Sequence, residues 1–169
     1  MADAAPATIK VGDRIPSVKV MRAAADGPRE VDTAAFFAGK TAVLFGVPGA
    51  FTPTCSARHL PSYLDHAEAL RAKGVDLVAC MAVNDAFVMA AWARHSGVEG
   101  DGIVMLADGA AALTRAMGLE LDLTARGLGV RCQRFALVAK DGVVTHIGVE
   151  APGAFEVSGA EPVLRALAA

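Results

Sequence analysis

The sequence predicts an α/β fold, a mixed central sheet flanked by helices and preceded by an N-terminal extension. Two observations carry that expectation. Short apolar runs suited to buried strands alternate with stretches of helical periodicity through the middle of the chain. In the last third a hairpin signal and a closing helix replace the alternation, so antiparallel strands must join the parallel ones. The 169 residues are one domain's worth, and 1–169 is read as a single unit able to bury a sizeable core.

The elements follow in order. "IKVGDRIPSVKV" reads as extended, and "VDTAAFFAGK" as a short helix capped by Asp32. "TAVLFGV" (41–47) is a buried strand. Leu60, Leu64, Ala67 and Leu70 recur at helical spacing, which predicts a helix over 55–72 that stops at Gly74. A strand follows over 75–83, then a helix over 84–97 capped near Asn84. "IVMLAD" (103–108) is a strand and "GAAALTRAMGL" a short helix. Asp141-Gly142 separates "RFALVAK" from "VVTHIGV" as a two-residue hairpin turn. Ser158 and Glu161 stand at capping-box spacing before a final helix through Leu164 and Leu167. This topology suits a thioredoxin-like fold.

Composition excludes several functions. The chain is 54% hydrophobic, yet its apolar runs fall far short of the ~18 residues of a spanning helix. The first residues, "MADAAPATIKVGD", hold no apolar signal core, so a soluble cytoplasmic protein is expected. Net charge is −2, and no basic block or basic–aromatic interleaving calls for nucleic acid. Cysteines at 55, 80 and 132 form neither a disulfide framework nor a CxxC pair, which suits reduced cytosolic thiols. His66, His95 and His146 show no ligand spacing, and nothing calls for a metal or another cofactor.

The stretch "PGAFTPTC", Pro48 to Cys55, stands between a buried strand and a helix. A helix N-terminus presents unpaired N–H groups and partial positive charge, which favour a thiolate; cysteines so placed often have pKa values of roughly 3.5–7.5. Pro48 and Pro53 stiffen the turn, Gly49 lets the backbone approach a bound molecule, and Thr52 brings a hydroxyl. Together they make a polar notch around one sulfur.

Pro48-x-x-x-Thr52-x-x-Cys55 resembles the peroxidatic motif of the peroxiredoxins. The fuller string "FGVPGAFTPTCSARHLP", with "VNDAFVMAAW" and "GLELDLTARGLGVR", is similar to the type II, peroxiredoxin-5-like branch. The resemblance runs from "KVGDRIP" to "VLRAL" and implies a thioredoxin-like fold. It also implies that Cys55 attacks hydrogen peroxide or an alkyl hydroperoxide, that Thr52 holds it, and that Arg134 completes the pocket, with Pro48 and Gly49 shaping it. A Cys55 sulfenic acid would then be reduced by an external thiol, glutathione with glutaredoxin or else thioredoxin. A homodimer is implied too. Ionisation cannot carry such a reaction alone: a free thiol is a few per cent thiolate at neutral pH, so full ionisation gains only about 30-fold. Donors aimed at the leaving oxygen must supply the rest, at ~2.7–4 kcal/mol apiece.

Some members of the family carry a resolving cysteine in the C-terminal segment, where this chain has Val157. Cys80 lies in a strand and reads as a core thiol, although plant-like members often have cysteine there. Cys132 is two residues from Arg134, so on a strand both would share a face, which makes it the other candidate resolving thiol. His59 falls four residues after Cys55 on the same helix face; it could support the thiolate or, with cysteines, bind a metal, but reads first as a packing or surface residue. Met89, Trp92 and Met117 read as core or interface, and Arg94 as a solvated arginine or one reaching the active-site rim. Two rivals remain: a dithiol–disulfide oxidoreductase, which lacks its second cysteine here, and a peroxide-sensing switch or holdase that uses Cys55.

Overall fold

The computed structural model describes residues 7–168. The extension forms a hairpin of β1 (Lys19–Ala23) and β2 (Arg29–Asp32), followed by α1 (Thr33–Phe37). Asp32 caps α1 as expected, its carboxylate accepting from the Ala34 and Ala35 amides. Next come β3 (Thr41–Gly46), a wide π-type turn at Cys55–His59, α2 (Leu60–Asp65), α3 (Ala67–Ala72), β4 (Leu77–Ala82) and α4 (Ala86–His95). The chain continues through β5 (Val104–Ala107), α5 (Ala112–Ala116), β6 (Glu120–Leu123), β7 (Gly129–Cys132), β8 (Phe135–Lys140), β9 (Val143–Val149) and α6 (Ala160–Ala168). Among the described residues no helix is long and apolar enough to cross a membrane.

Seven strands make one mixed sheet in the order β2-β1-β5-β4-β3-β8-β9. The three central strands β5, β4 and β3 are parallel, and antiparallel pairs flank them on both sides. Alternation along these buried strands divides the core between two faces. Val43, Phe45, Cys80 and Val138 enter one cluster; Ala42, Leu44, Met81 and Leu137 enter the other. The first cluster contains Cys55, and the second contains Cys132. The hairpin turn has Asp141 at φ 50° and Gly142 at φ 76°, the left-handed pair that suits the twist of adjoining strands.

The structure departs from expectation at several points. The helix expected over 55–72 opens wide because Leu60 N–H reaches back to the Cys55 carbonyl, while Pro61 has no N–H to offer. It breaks again at His66, whose ring Nδ1 donates to the Ser62 carbonyl at 2.8 Å. Asp85, not Asn84, caps α4; the Asn84 side chain instead accepts from the Ala50 amide. The capping box at Ser158 does not form, since Ser158 N–H and its hydroxyl both donate to the Glu150 carboxylate. The β6–β7 ribbon lacks a clear strand signal in sequence: "ELDL" and "GVRC" are short and carry charges, and they pair with each other.

Candidate active site

Cys55 opens the wide turn that follows β3, and it has no exposed surface. The loop between β3 and the turn is tightly tied. Ala50 N–H donates to Asn84 Oδ1, Thr52 N–H to the Gly49 carbonyl, and Ser56 N–H to the Thr52 carbonyl. Trp92 Nε1–H donates to the Ser56 hydroxyl at 3.0 Å, so α4 holds the residue next to the thiol. Phe51 sits at φ 63°, an uncommon backbone for a bulky residue, with its ring half exposed.

Two side chains reach the sulfur. Thr52 Oγ1 lies 2.9 Å from Cys55 Sγ and 2.6 Å from the Gly49 carbonyl oxygen. One hydroxyl proton serves only one acceptor at a time. With a protonated thiol the hydroxyl can donate to Gly49 and accept from S–H; with a thiolate it can turn and donate to sulfur. Arg134 Nη2 donates to Sγ at 3.1 Å, from the link between β7 and β8. Its charge therefore stands directly beside the sulfur, where it stabilises negative charge.

His59, expected on the Cys55 face of the helix, is a buried packing residue that also contacts Arg134. Its ring is completely buried between Phe45 at 4.9 Å and Phe155 at 5.1 Å. Nδ1 faces Arg134 Nη1 at 2.9 Å, and Nε2 faces the Ser158 carbonyl at 2.9 Å. A carbonyl only accepts, so Nε2 carries the proton and Nδ1 accepts from the guanidinium. Burial, reinforced by the Arg134 charge, holds the His59 pKa down to about 3, against the opposing pull of Ser158 and Glu150. The wide turn puts Cys55 and His59 on the buried side together. Their spacing was legible; the partner on Nδ1 was not, because it lies 75 residues away.

The pocket-shaping pair divides. Pro48 lines a cavity of about 640 Å³ with Thr52 and Arg134, but Gly49 is buried behind it. A Cβ at Gly49 would meet Arg131 Nη1 at 2.8 Å, so the glycine makes room for a protein side chain. Arg131 Nη1 donates to the Pro48 carbonyl at 3.3 Å and Nε to that of Leu128 at 2.8 Å. Gly49 is the local sequence feature that marks this approach of Arg131. Arg94 is exposed and borders a different cavity with Arg22 and Asp101.

Both candidate resolving thiols are free and, like Cys55, fully buried. Cys132 is the last residue of β7, and the chain leaves the strand before Arg134, so the shared face expected of them is not formed. The thiol packs on the opposite side of the sheet from Cys55 and donates to the Gln133 carbonyl. Burial pushes its pKa up to about 12, despite the Thr114 hydroxyl. Cys80 shares the Cys55 cluster but is fully enclosed within β4. Burial first, then the Cys55 charge, raise its pKa well above the usual value.

Comparison with known proteins agrees with this geometry. The family model described as Redoxin matches residues 10–164. Peroxiredoxin-2E-2, chloroplastic, of Oryza sativa subsp. japonica is 51% identical over 95% of this chain and 73% of its own length. Peroxiredoxin-2B of Arabidopsis thaliana is 46% identical over 95% and 99%. The chain belongs to the peroxiredoxins. The fold agrees as well: reduced Prx3 of Vibrio vulnificus in complex with H2O2 superposes with a TM-score of 0.90 at 49% identity, covering 95% of this peroxiredoxin and 97% of that chain. The architecture is thioredoxin-like, and the protein is a thiol-dependent peroxidase.

Proposed function

We propose that Cys55 is the peroxidatic nucleophile, acting on hydrogen peroxide and small alkyl hydroperoxides, with Thr52 and Arg134 as the donors that carry the reaction. The observation behind this reading is that Cys55 Sγ receives both a hydroxyl at 2.9 Å and a guanidinium at 3.1 Å. The thiolate attacks one peroxide oxygen, and a sulfur–oxygen bond forms as the O–O bond breaks. Sulfur is oxidised to a sulfenic acid, and the leaving oxygen takes a proton and departs as water or alcohol. Charge grows on that oxygen in the transition state, where prearranged N–H and O–H donors act most strongly. The relative solved with H2O2 supports the smallest substrate. The apolar wall of Leu121, Leu123 and Leu128 supports a short alkyl tail.

The sulfenic acid is reset by an external thiol, glutathione with glutaredoxin, since the chain has Val157 at the C-terminal position and its other two thiols are buried within strands. One glutathione condenses with the sulfenic acid to a mixed disulfide and water. A second thiol then reduces that disulfide. The enzyme works in a cytoplasmic, thiol-reducing setting, as a homodimer. The exposed rings of Phe51 and Phe87 supply apolar surface for a second copy. Intact-mass analysis after one equivalent of peroxide tests the scheme: the expected product is heavier by one oxygen, and glutathione converts it to a mixed disulfide. A Cys55–Cys80 or Cys55–Cys132 bond within one chain would overturn it and make thioredoxin the expected reductant. Slow peroxide consumption with either reductant would favour a sensing switch or holdase. Sedimentation of the reduced protein as a monomer at micromolar concentration would remove the dimer.

A further inference from the structure

We propose that Glu150 is a positioning residue of the peroxidase reaction, acting through Ser158 and His59 to aim Arg134 at the sulfur. The inference rests on Arg134 serving the reaction as proposed above.

Glu150 follows β9 and is 7% exposed. A carboxylate has only acceptor capacity, so burying one requires donors to converge on it. Here they are the main-chain N–H groups of Glu156, Val157 and Ser158, each at 2.9 Å, and the Ser158 hydroxyl at 2.6 Å. Burial works to raise the Glu150 pKa, but these donors outweigh it and hold the carboxyl below its usual range. The chain from 150 to 158 is therefore wrapped around one anion.

That wrapping decides where the Ser158 carbonyl points. Its oxygen accepts from His59 Nε2–H at 2.9 Å and from the Tyr63 hydroxyl at 2.7 Å. It thereby settles the tautomer of His59, whose free lone pair on Nδ1 receives Arg134 Nη1–H. Were the carbonyl displaced, His59 could place its proton on Nδ1, turning a donor toward the guanidinium. Glu150 holds the same arginine from its other end, since its main-chain N–H donates to the Arg134 carbonyl at 2.9 Å. One residue thus supports Arg134 at the backbone and, through two relays, at the guanidinium. Of the residues in this relay only Arg134 reaches Cys55 Sγ; Glu150 borders the same cavity, but its carboxylate oxygens are taken up by the donors of residues 156–158, so its contribution runs through Arg134.

Glu150→Gln keeps the size and main-chain contacts but turns one acceptor into an NH2 donor facing N–H groups. The test is a cycle of Glu150→Gln, Arg134→Met and the double variant, read as the second-order rate of peroxide reduction. Glu150→Gln is expected to slow the reaction about ten-fold, and to add less than about two-fold in the Arg134→Met background. Nitrogen-15 NMR of His59 supplies a second readout: a single Nε2–H tautomer in the parent, and a mixture in Glu150→Gln. If Glu150→Gln does not fold, Ser158→Ala takes its place in the same cycle, with a smaller but equally non-additive loss. An unchanged rate, or effects that multiply independently of Arg134, would overturn the role of Glu150. An unchanged rate in Arg134→Met alone would instead overturn the proposed site.

Discussion

Cys55 and Cys132 are hidden to the same degree, each with no exposed surface, yet they stand in opposite chemical settings. Cys132 closes a strand on one side of the sheet, among Phe37, Leu44 and Met117, and its thiol is driven toward the neutral form. Cys55 begins a helical segment on the other side, with a hydroxyl and a guanidinium against its sulfur. Burial excludes water from both. At Cys132 that leaves a small hydrophobe with a weak donor. At Cys55 it strengthens every charge and dipole aimed at the sulfur, because less solvent competes with them. The two thiols thus differ not in burial but in the placement of two other residues, Thr52 and Arg134.

The contrast can be broken most severely by removing the reacting atom. Cys55→Ser is expected to abolish peroxidase turnover while leaving the far-ultraviolet spectrum unchanged, as measured by stopped-flow peroxide consumption. Residual turnover near the parent rate would mean that another thiol carries the reaction. Arg134→Met, which leaves the sulfur in place and removes its cation, should slow peroxide attack by at least about ten-fold. An undiminished rate would show that burial and Thr52 suffice.

Opposite limbs of a stability–pH curve sharpen the comparison. His59 has its folded pKa lowered from 6.5 to about 3, so the unfolded chain binds a proton that the folded chain refuses. Its contribution is intact above 6.5 and is lost as pH falls from there toward 3, on the order of 5 kcal/mol over the window. Cys132 runs the other way. Its folded pKa of about 12 exceeds the unfolded 9.0, so its contribution is intact below 9.0 and is lost as pH rises toward 12. Denaturant titration at fixed pH should show His59→Phe flattening the acid limb and Cys132→Ala flattening the alkaline one. Equal effects of either variant on both limbs would contradict this division.

The smallest expected effect concerns Cys80. Cys80→Ala should cost about 1 kcal/mol of stability and leave the peroxide rate within about two-fold, since its side chain makes no polar contact with Thr52, Arg134 or His59. A large loss of rate in a well-folded Cys80→Ala protein would give β4 a part in the chemistry.

Much of this was legible in the amino-acid order. The central strands, the Asp32 cap, the Asp141-Gly142 turn and the Cys55 position at a strand-to-helix junction all follow from local patterns. Short-range signals survive folding where each residue's preference agrees with its neighbours'. The missed features lie where two distant segments compete for one partner. Ser158 and Glu161 have capping-box spacing, but Glu150 claims both Ser158 donors. Asn84 was expected to cap a helix, yet the active-site loop takes its side chain.

Sequence alone determined the α/β order of elements, the place of Cys55 between a strand and a helix, and the family, because those depend on periodicity and on one contiguous motif. Only the tertiary structure decided that Cys132 lies across the sheet from Cys55, that Gly49 admits Arg131, and that His59 bridges Arg134 to Ser158. The reason is geometric. The face a strand-end residue presents depends on where the strand stops, and the proton on an imidazole depends on which acceptor reaches it; both are settled by contacts across many residues of chain.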